Sequence, residues 1–356
     1  MSIVTFTSTV TSPHERGIEF GEHFADQVSA TVAAYRRLFA RCAGADFDVD
    51  AWADRAWQTI QELAPTQADE IAGIAEGAGL PSRDVASVNA RTEILVAADP
   101  TGQGECSTVV TLPPGRVPVA VQTWDWYDAM APHWLHWTIP HPDGRVVQTV
   151  TEFGMLAKIG VSTAGVAVML NMLHHENDAK AAAEERVGYP VHLLARAILD
   201  SAGSLADALA ITRAASTSAS TSLTVVDRAG AAASVELFPG GPGVLEPVGG
   251  LLVRTNHFVS DAGRDGCIAA AIGPSSQMRR DHLLEAFAGR VPDDAEEVLA
   301  AMTHHDADGG VCRHSDPDQD PVLRHGTLAT VVLDVGASRL DVHRDGPCGL
   351  SPRERT

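Results

Sequence analysis

Basic residues are scarce in this sequence. It has 26 Lys and Arg against 46 Asp and Glu, which gives a formal net charge of −20 at pH 7. A protein that binds the phosphate backbone of a nucleic acid needs clustered Lys and Arg. The composition therefore argues against a nucleic-acid partner, and we interpret the negative charge as a surface that favours solubility.

A long apolar run and a secretory pattern are also missing. No stretch of 18 or more apolar residues occurs, so we expect no membrane-spanning helix and no membrane partner. Residues 1–16 have no basic start followed by an apolar core, so we expect no signal peptide. Together these absences predict a cytoplasmic protein.

Cysteines are few and widely spaced. The five are Cys42, Cys106, Cys267, Cys312 and Cys348, and no pair has the CxxC spacing of a common structural zinc site. An odd number of cysteines without a signal peptide is typical of thiols in a reducing cytoplasm. We expect four of the five to be chemically passive, and we expect no metal and no other cofactor.

The apolar pattern changes along the chain from helical to strand-like. Segments with helical spacing are 13–41, 48–63, 66–78 and one from 81 toward 95, and helices return at 190–201, 205–214, 275–287 and 294–302. The predicted strands are 107–112, 118–126, 133–139, 145–152, 156–162, 165–172, 223–227, 232–237, 328–335 and 339–344. Residues 240–243 are interpreted as a turn. Runs of helices and runs of strands, without strict alternation, predict an α+β fold with mostly antiparallel sheets.

Cys106 lies where the helix-rich part gives way to the strands. Gly102 and Gly104 free the backbone just before it, as a strained scissile bond needs. We predict an N-to-S acyl shift, in which the thiol attacks the Glu105 carbonyl and water resolves the thioester. Cys106 would then carry a free α-amine, whose ordinary pKa of about 7.7–8.0 lets it accept the thiol proton. One residue would serve as nucleophile and general base.

Asn256 and Asp125 are the candidate partners of this cysteine. Asn256 follows a predicted strand, and acyl chemistry needs hydrogen-bond donors aimed at the developing oxyanion. Asp125 stands between two tryptophans, and a buried carboxylate needs a partner such as an α-amine or an arginine. From the residues alone, a turn asparagine and a structural buried acid remain alternative interpretations.

Several short motifs are spread over nearly the whole chain. They are 89–93 (Asn-Ala-Arg-Thr-Glu), Cys106, 122–126 (Gln-Thr-Trp-Asp-Trp), 151–160, 162–166, 255–258 (Thr-Asn-His-Phe) and 311–314 (Val-Cys-Arg-His), with a weaker one at 346–348 (Gly-Pro-Cys). In this order, the motifs resemble those of the penicillin acyltransferase family, meaning the isopenicillin N acyltransferase-like N-terminal nucleophile hydrolases.

The resemblance implies a four-layer αββα fold and a precursor that cuts itself. The two chains would be residues 1–105 and 106–356, which stay associated as one structural domain. Cys106 would be the nucleophile and Asn256 an oxyanion-hole donor. The further site residues that the resemblance implies, either catalytic or in contact with substrate, are Asp125, Arg313, Thr221, Thr123 and His257.

This chain departs from the family pattern at three positions. Glu105 stands where a glycine is expected before the nucleophile, Thr123 replaces an asparagine and Ser107 replaces a threonine. The last two changes are conservative. The first leaves the efficiency of cleavage open but not the identity of the nucleophile.

The expected function is that of an autoproteolytic cysteine amidohydrolase or acyltransferase. Its partner would be a small-molecule amide, such as a β-alanyl amine, or an acyl donor, and the acyl group would pass through a Cys106 thioester. We favour hydrolysis slightly, because water is always available and transfer needs a second specific site. An acyl-CoA-dependent N-acyltransferase on the same scaffold is an alternative, and a homo-oligomer remains open.

Two functions of other classes also remain open. A metal-dependent hydrolase would use the stretch from His304 to Asp320, although its spacing fits neither an HExxH motif nor an EF-hand loop. It would lose activity with a chelator and tolerate Cys106→Ala. A non-enzymatic binding protein that kept the fold and lost processing is suggested by Glu105 alone, and it would remain a single chain.

Overall fold

Two β-sheets lie face to face, and helices cover the outer face of each. The computed structural model describes residues 2–44, 47–99, 105–306 and 309–350, and for Glu105 it describes the backbone alone. The linker at 101–104, with Gly102 and Gly104, lies outside the described residues.

Helices fill most of the first hundred residues and return in the second half of the chain. The first group is α1 (Pro13–His23), α2 (Ala25–Ala43), α3 (Val49–Leu63), α4 (Pro65–Ala78), α5 (Ser82–Asn89) and α6 (Arg91–Ala98). The later helices are α7 (Glu176–Ala183), α8 (Val191–Ser201), α9 (Leu205–Ala214), α10 (Asp261–Arg264), α11 (Ala269–Ile272), α12 (Ser275–Ala286) and α13 (Ala295–Met302). Within the described ranges, no helix has both the length and the apolar character needed to cross a bilayer.

The strands fall into a larger and a smaller sheet. In chain order they are β1 (Thr5–Thr7), β2 (Glu105–Thr111), β3 (Val119–Tyr127), β4 (Trp134–Pro140), β5 (Val146–Glu152), β6 (Ile159–Ser162), β7 (Val166–Met172), β8 (Thr221–Asp227), β9 (Ala232–Phe238), β10 (Gly241–Leu245), β11 (Leu251–Arg254), β12 (His325–Asp334) and β13 (Arg339–Arg344). The larger sheet has the order β1-β4-β5-β6-β7-β8-β9-β10, and the smaller has β11-β2-β3-β12-β13. Neighbouring strands are antiparallel except β1 and β4, which are parallel.

The packing of helices on these sheets gives four layers. Helices α8 and α9 lie on the larger sheet, against β6 to β9, and α12 and α13 lie on the smaller sheet, against β11, β2 and β3. The two sheets meet where β2 faces β7. Strands β7 and β8 are buried along their whole length, because one face meets the other sheet and the other face meets helices. The predicted α+β fold with αββα layers is confirmed.

The helix predicted over 13–41 is interrupted at Phe24, whose φ of −123° and ψ of 31° separate α1 from α2. Two further local predictions were wrong. Residues 240–243 do not form a simple turn, since Gly241 starts β10, which pairs with β9, and Gly240 alone has a left-handed backbone with φ of 120°. The helix predicted from 81 toward 95 is broken at Ala90, whose φ of −103° and ψ of 24° leave the helical range. The break turns Asn89 toward Gly154 and Glu93 toward Val191. Local periodicity could not show either effect, because both depend on tertiary partners.

Helices α1 and α4 touch through their backbones. The contact uses Gly17 and Gly21 of α1 and Gly73 and Gly77 of α4, each pair separated by one helical turn. A Cβ atom at Gly73 would lie 2.1 Å from the backbone oxygen of His14, and one at Gly17 would lie 2.2 Å from that of Glu70. Real atoms do not approach so closely, so side chains at these positions would force the helices apart.

We predict that Gly73→Ala lowers the free energy of unfolding by about 1–3 kcal/mol, the usual cost of overpacking. Alanine is favoured over glycine in a helix by about 1 kcal/mol, so a net loss would be due to the contact. Urea denaturation of the wild type and the variant measures this change in the free energy of unfolding. Gly203→Ala is the matched control, because its Cβ atom would have no neighbour nearer than 3.8 Å. Equal effects of the two substitutions would contradict the prediction.

Candidate active site

Cys106 is the second residue of β2 and is only 5% exposed. It pairs with Trp124 of β3 in the antiparallel register. Side chains alternate along a strand, so Cys106 and Thr108 face the larger sheet while Ser107 faces α12. The contacts agree: Thr108 Oγ1 donates to Asn171 on β7, and Ser107 Oγ accepts from Arg279 on α12. The thiol therefore points into the space between the sheets.

The main chain of Cys106 is held by side chains from three other elements. Its nitrogen donates to Asn256 Oδ1 at 2.8 Å, just after β11. Its carbonyl oxygen accepts from Asn171 Nδ2 at 3.0 Å, on β7, and from Arg279 Nη1 at 2.9 Å, on α12. We call these four residues the Cys106 clamp. The clamp fixes the peptide groups on both sides of the Cys106 Cα atom.

Asn256 is itself held in one orientation. Its Nδ2 donates to Met172 O at 2.8 Å, its backbone nitrogen donates to Ser276 Oγ at 2.8 Å, and its Oδ1 also accepts from Arg279 Nη2 at 3.0 Å. These bonds assign the amide oxygen to the Cys106 nitrogen. An amide NH₂ group carries two donors, and the bond to Met172 uses one of them.

Asp125 is a fully buried residue of β3, opposite Glu105 in the register. Its backbone oxygen lies 3.8 Å from Cys106 Sγ. Burial, reinforced by the negative charge of Asp125, raises the pKa of the Cys106 thiol to about 11, although Lys158 and Arg279 act in the opposite direction. In the uncut chain the thiol is therefore protonated near neutral pH.

A buried group of charges lies next to these residues. Lys158 Nζ lies 3.6 Å from Glu152 Oε2 and 3.5 Å from the ring centre of Trp124. Arg91 Nε donates to Glu152 Oε2 at 3.3 Å, and Tyr35 OH donates to Glu152 Oε1. Burial and the nearby Arg91 hold the pKa of Lys158 well below its usual range, with Glu152 and Cys106 opposing. For Glu152 the balance is reversed: burial alone would raise its pKa, but Lys158 and Arg91 lower it.

The other predicted site residues lie one step away from Cys106. Thr123 Oγ1 accepts from the backbone nitrogen of Ser107 at 3.3 Å, and Thr221 Oγ1 donates to Asn171 O at 3.0 Å. Arg313, which is half-buried, donates from Nη1 to Ser275 Oγ at 3.3 Å, and Ser275 also accepts from Arg279 Nε at 3.2 Å. The structure thus gathers Thr123, Thr221 and Arg313 around the clamp.

His257 is connected to the clamp through Ser276. Its Nδ1 lies 2.8 Å from Ser276 Oγ, the atom that accepts from the Asn256 nitrogen. Its described contact therefore supports the position of Asn256. The geometry gives His257 no contact with Cys106 among the described hydrogen bonds.

Sequence reasoning missed Arg279 and Asn171 and gave no role to Lys158. Asn171 had a readable signal, since it is a polar residue inside the apolar run of β7. Arg279 had no such signal in the sequence, because it is one of two adjacent arginines in a polar helix. Only the packing of α12 on β2 buries it. Lys158 was part of a recognised motif, but its place beside Trp124 depends on the packing of the larger sheet, which holds β6, against the smaller sheet, which holds β3.

Comparisons with known proteins agree with the motif pattern. The family model described as acyl-coenzyme A:6-aminopenicillanic acid acyl-transferase matches residues 114–347, a range that begins after Cys106. A curated relative, the acyl-coenzyme A:6-aminopenicillanic-acid-acyltransferase 40 kDa form of Emericella nidulans, is 29% identical over 288 residues, which are 78% of this chain and 74% of the relative.

Two solved structures show a more distant likeness. The Caenorhabditis elegans N-acylethanolamine-hydrolyzing acid amidase ortholog has a TM-score of 0.48 at 12% identity, over 65% of this chain and 93% of that chain. The penicillin V acylase from Agrobacterium tumefaciens has a TM-score of 0.45 at 13% identity, over 69% of this chain and 84% of that chain.

His257 gives the site a predicted dependence on pH. Burial, with the positive charges of Arg254 and Arg280, lowers the pKa of His257 to about 4, whereas an unfolded histidine titrates at about 6.5. The unfolded chain therefore takes up this proton first, so the stability due to neutral His257 is present above about pH 6.5 and is lost as pH falls toward 4. His257→Gln should flatten the decline in unfolding free energy across this window. Denaturant titrations at several pH values test this, and parallel declines would contradict it.

Proposed function

The chain belongs to the acyl-coenzyme A:6-aminopenicillanic acid acyl-transferase family, and from that premise we propose a self-cleaving cysteine enzyme. The family groups N-terminal nucleophile hydrolases and acyltransferases that act on amides, so the chain is an enzyme of this type. The proposal is that Cys106 becomes its N-terminal nucleophile. The observation that carries the proposal is the bond from the Cys106 nitrogen to Asn256 Oδ1, at 2.8 Å.

The hydrogen bond to Asn256 Oδ1 would be available to the Cys106 nitrogen both before and after cleavage. Before cleavage it holds the amide whose carbon–nitrogen bond would break. After cleavage the same nitrogen would be an α-amine, and Asn256 Oδ1 would accept from it without moving. Asn171 and Arg279 hold the carbonyl side of Cys106 in the same way. The new N-terminus would therefore remain in place when Glu105 is released.

The proposed cleavage is an N-to-S acyl shift followed by hydrolysis of a thioester. Cys106 Sγ attacks the carbonyl carbon of Glu105, the carbon–nitrogen bond breaks, and the thiol proton ends on the Cys106 nitrogen. The product is a thioester between Glu105 and Cys106 with a free α-amine. Water then hydrolyses the thioester, which leaves the Glu105 carboxylate and the Cys106 thiol. The raised pKa of the thiol in the uncut chain means that a base must remove its proton during the attack.

In turnover the α-amine would be that base. It takes the proton from Sγ, the thiolate attacks the substrate carbonyl, and the leaving amine recovers the proton. The acyl group is then a thioester on Cys106, which water or an acceptor amine removes. We assign Asn256 to the oxyanion, since the bond to Met172 uses one of its two amide donors. Asp125 lies where it would order the new N-terminus.

The pocket residues are assigned by their place around the clamp. Arg313 lies at its half-buried edge, where a guanidinium would meet a polar or anionic part of the substrate. Thr221 and Thr123 would shape the pocket through Asn171 and Ser107. His257 would act through Ser276. The substrate class is an N-acylated small molecule, with β-alanyl amines as one case, and hydrolysis is favoured slightly over transfer.

Acyl transfer from coenzyme A thioesters is the second candidate. The relative from Emericella nidulans is named for transfer between acyl-coenzyme A and 6-aminopenicillanic acid. The same thioester on Cys106 would serve both reactions, and the acceptor that the pocket admits would decide between them.

Cleavage would leave two chains, residues 1–105 and 106–356, that remain together. Buried bonds cross the future break: Glu152 on β5 contacts Tyr35 and Arg91, and Glu70 on α4 contacts Arg196 on α8. Removing one partner from a buried pair costs about 3–5 kcal/mol, so separation of the chains would be strongly disfavoured. We propose a cytoplasmic location, which the free state of all five cysteines supports.

Intact-protein mass spectrometry tests the self-cleavage. We predict that purified wild type gives two fragments that divide between Glu105 and Cys106, and that Cys106→Ala gives one uncut chain. Cys267→Ala is the matched control and should be cut like wild type. A single species of 37.5 kDa in wild type would overturn the proposal, because no α-amine would form.

A trapping experiment tests the thioester. The cut enzyme is mixed with a panel of N-acylated amines, β-alanyl amines among them, or with acyl-coenzyme A thioesters, and is quenched in acid. We predict an added acyl mass on the peptide that begins with Cys106, removable by hydroxylamine. Partition of the acyl group between free acid and an added amine separates hydrolysis from transfer. Turnover with the acyl group on a different residue would contradict the mechanism.

A further inference from the structure

Four side chains with soft or borderline metal-ligating atoms converge outside the clamp. His305 follows α13, Cys312 and His314 lie in the loop before β12, and Cys348 lies in a short 3₁₀ turn, Pro347–Gly349. Their Nε2, Sγ, Nε2 and Sγ atoms are the candidate ligands, and the ligand atoms of the four residues all lie within 4.8 Å of one another. We call this group the thiol–imidazole cluster.

Four of the six ligand-to-ligand distances in the cluster fit a tetrahedron around a zinc ion. With zinc–sulfur bonds of about 2.3 Å and zinc–nitrogen bonds of about 2.0–2.1 Å, the ligand-to-ligand distances are about 3.8 Å for two sulfurs, about 3.5 Å for sulfur and nitrogen, and about 3.3 Å for two nitrogens. The two sulfurs lie 3.5 Å apart and the two nitrogens 3.0 Å apart. His314 Nε2 lies 3.4 Å from Cys348 Sγ and 4.0 Å from Cys312 Sγ. These four distances agree with the tetrahedron to within about half an ångström.

We propose that this cluster binds one Zn²⁺ through two thiolates and two imidazoles. Two cysteines and two histidines in tetrahedral array select zinc among common divalent ions. All four positions are filled by protein atoms, so the site is structural, since catalytic zinc keeps a position open for water or substrate. This cluster therefore does not form the catalytic site of a zinc-dependent hydrolase.

The surrounding fold holds the ligands close together before any ion binds. The Cys312 nitrogen donates to His304 O at 3.0 Å. The next residue, Arg313, accepts at its carbonyl oxygen from the Thr327 nitrogen of β12 at 3.0 Å, and its own nitrogen donates to Thr327 Oγ1 at 3.0 Å. Gly346 leaves room for the sulfur, because a Cβ atom there would lie 2.3 Å from Cys312 Sγ. Any larger residue at this position would displace the thiol.

The metal would join two distant parts of the chain beside the clamp. It would connect the loop that carries Cys312 and His314 to Cys348. In the sequence, Arg313 lies between the two ligands Cys312 and His314. Since Arg313 donates to Ser275, a fixed loop would fix the position of this guanidinium. The last acidic residue of the stretch is engaged elsewhere, since Asp320 pairs with Arg41 at 2.8 Å. The fourth ligand of the cluster comes instead from the C-terminal turn, as Cys348.

Metal analysis of untagged, freshly purified protein tests the proposal. We expect one zinc per chain by elemental analysis and by native mass spectrometry. Cys348→Ser should lose the zinc, and its affinity for added Zn²⁺ should fall by at least about 100-fold, more than loss of a second-shell partner. Cys267→Ser is the matched control and should retain one zinc.

A second measurement on the wild type keeps the proposal testable if the Cys348→Ser variant fails to fold. Wild type stripped with a chelator is titrated with Co²⁺, and we expect the absorption of tetrahedral cobalt together with a thiolate charge-transfer band. Wild type without zinc and without this spectrum would overturn the proposal. So would a Cys312–Cys348 disulfide in the fresh protein, detected by counting thiols. Metal content does not depend on cleavage at Cys106, so this proposal and the proposed function can fail separately.

Discussion

The hydrogen bonds that hold the backbone of Cys106 are the constraint on which the rest of the site depends. They require β11 beside β2, β7 facing β2 and α12 packed across it, because Asn256, Asn171 and Arg279 come from these three places. Each bond is modest, about 0.5–1.5 kcal/mol for neutral groups and more for the guanidinium. Their value lies in geometry, since they fix the backbone nitrogen and the carbonyl oxygen of Cys106 relative to the two sheets.

The buried charges around Glu152 serve a second purpose. A buried ion pair is seldom more stabilising than apolar residues of the same volume, so stability alone does not explain Arg91, Lys158 and Glu152. Among them, Lys158 acts to lower the pKa of the Cys106 thiol, which burial and Asp125 raise. They also join the N-terminal helices to the larger sheet. One group of residues therefore links the electrostatics of the nucleophile to the cohesion of the two proposed chains.

Much of the fold could be predicted from the sequence because its elements are strongly patterned. The change from helical to alternating periodicity near residue 105 marked the start of the strand-rich part. The motifs singled out Asn256 and Asp125, and the structure brings the Asn256 side chain and the Asp125 backbone oxygen next to Cys106. Arg279 could not be predicted, because an arginine in a polar helix is normally exposed and only tertiary packing buries it. Cys348 was out of reach for a similar reason, since 34 residues separate it from His314 and no local spacing joins the two. The same applies to β10, which begins within a Gly-Gly-Pro-Gly stretch. Such a stretch is typical of a turn, and only the pairing with β9 makes Gly241–Leu245 a strand.

The central claim is that the backbone nitrogen of Cys106 stays where Asn256 holds it when the preceding bond is cut. A crystal structure of the purified, untreated protein tests this claim most directly. The account predicts a break between Glu105 and Cys106, with the new α-nitrogen still within hydrogen-bonding distance of Asn256 Oδ1 and Arg279 still bonded to the Cys106 carbonyl. Continuous density through an intact Glu105–Cys106 peptide, or a free N-terminus displaced from Asn256, would contradict it.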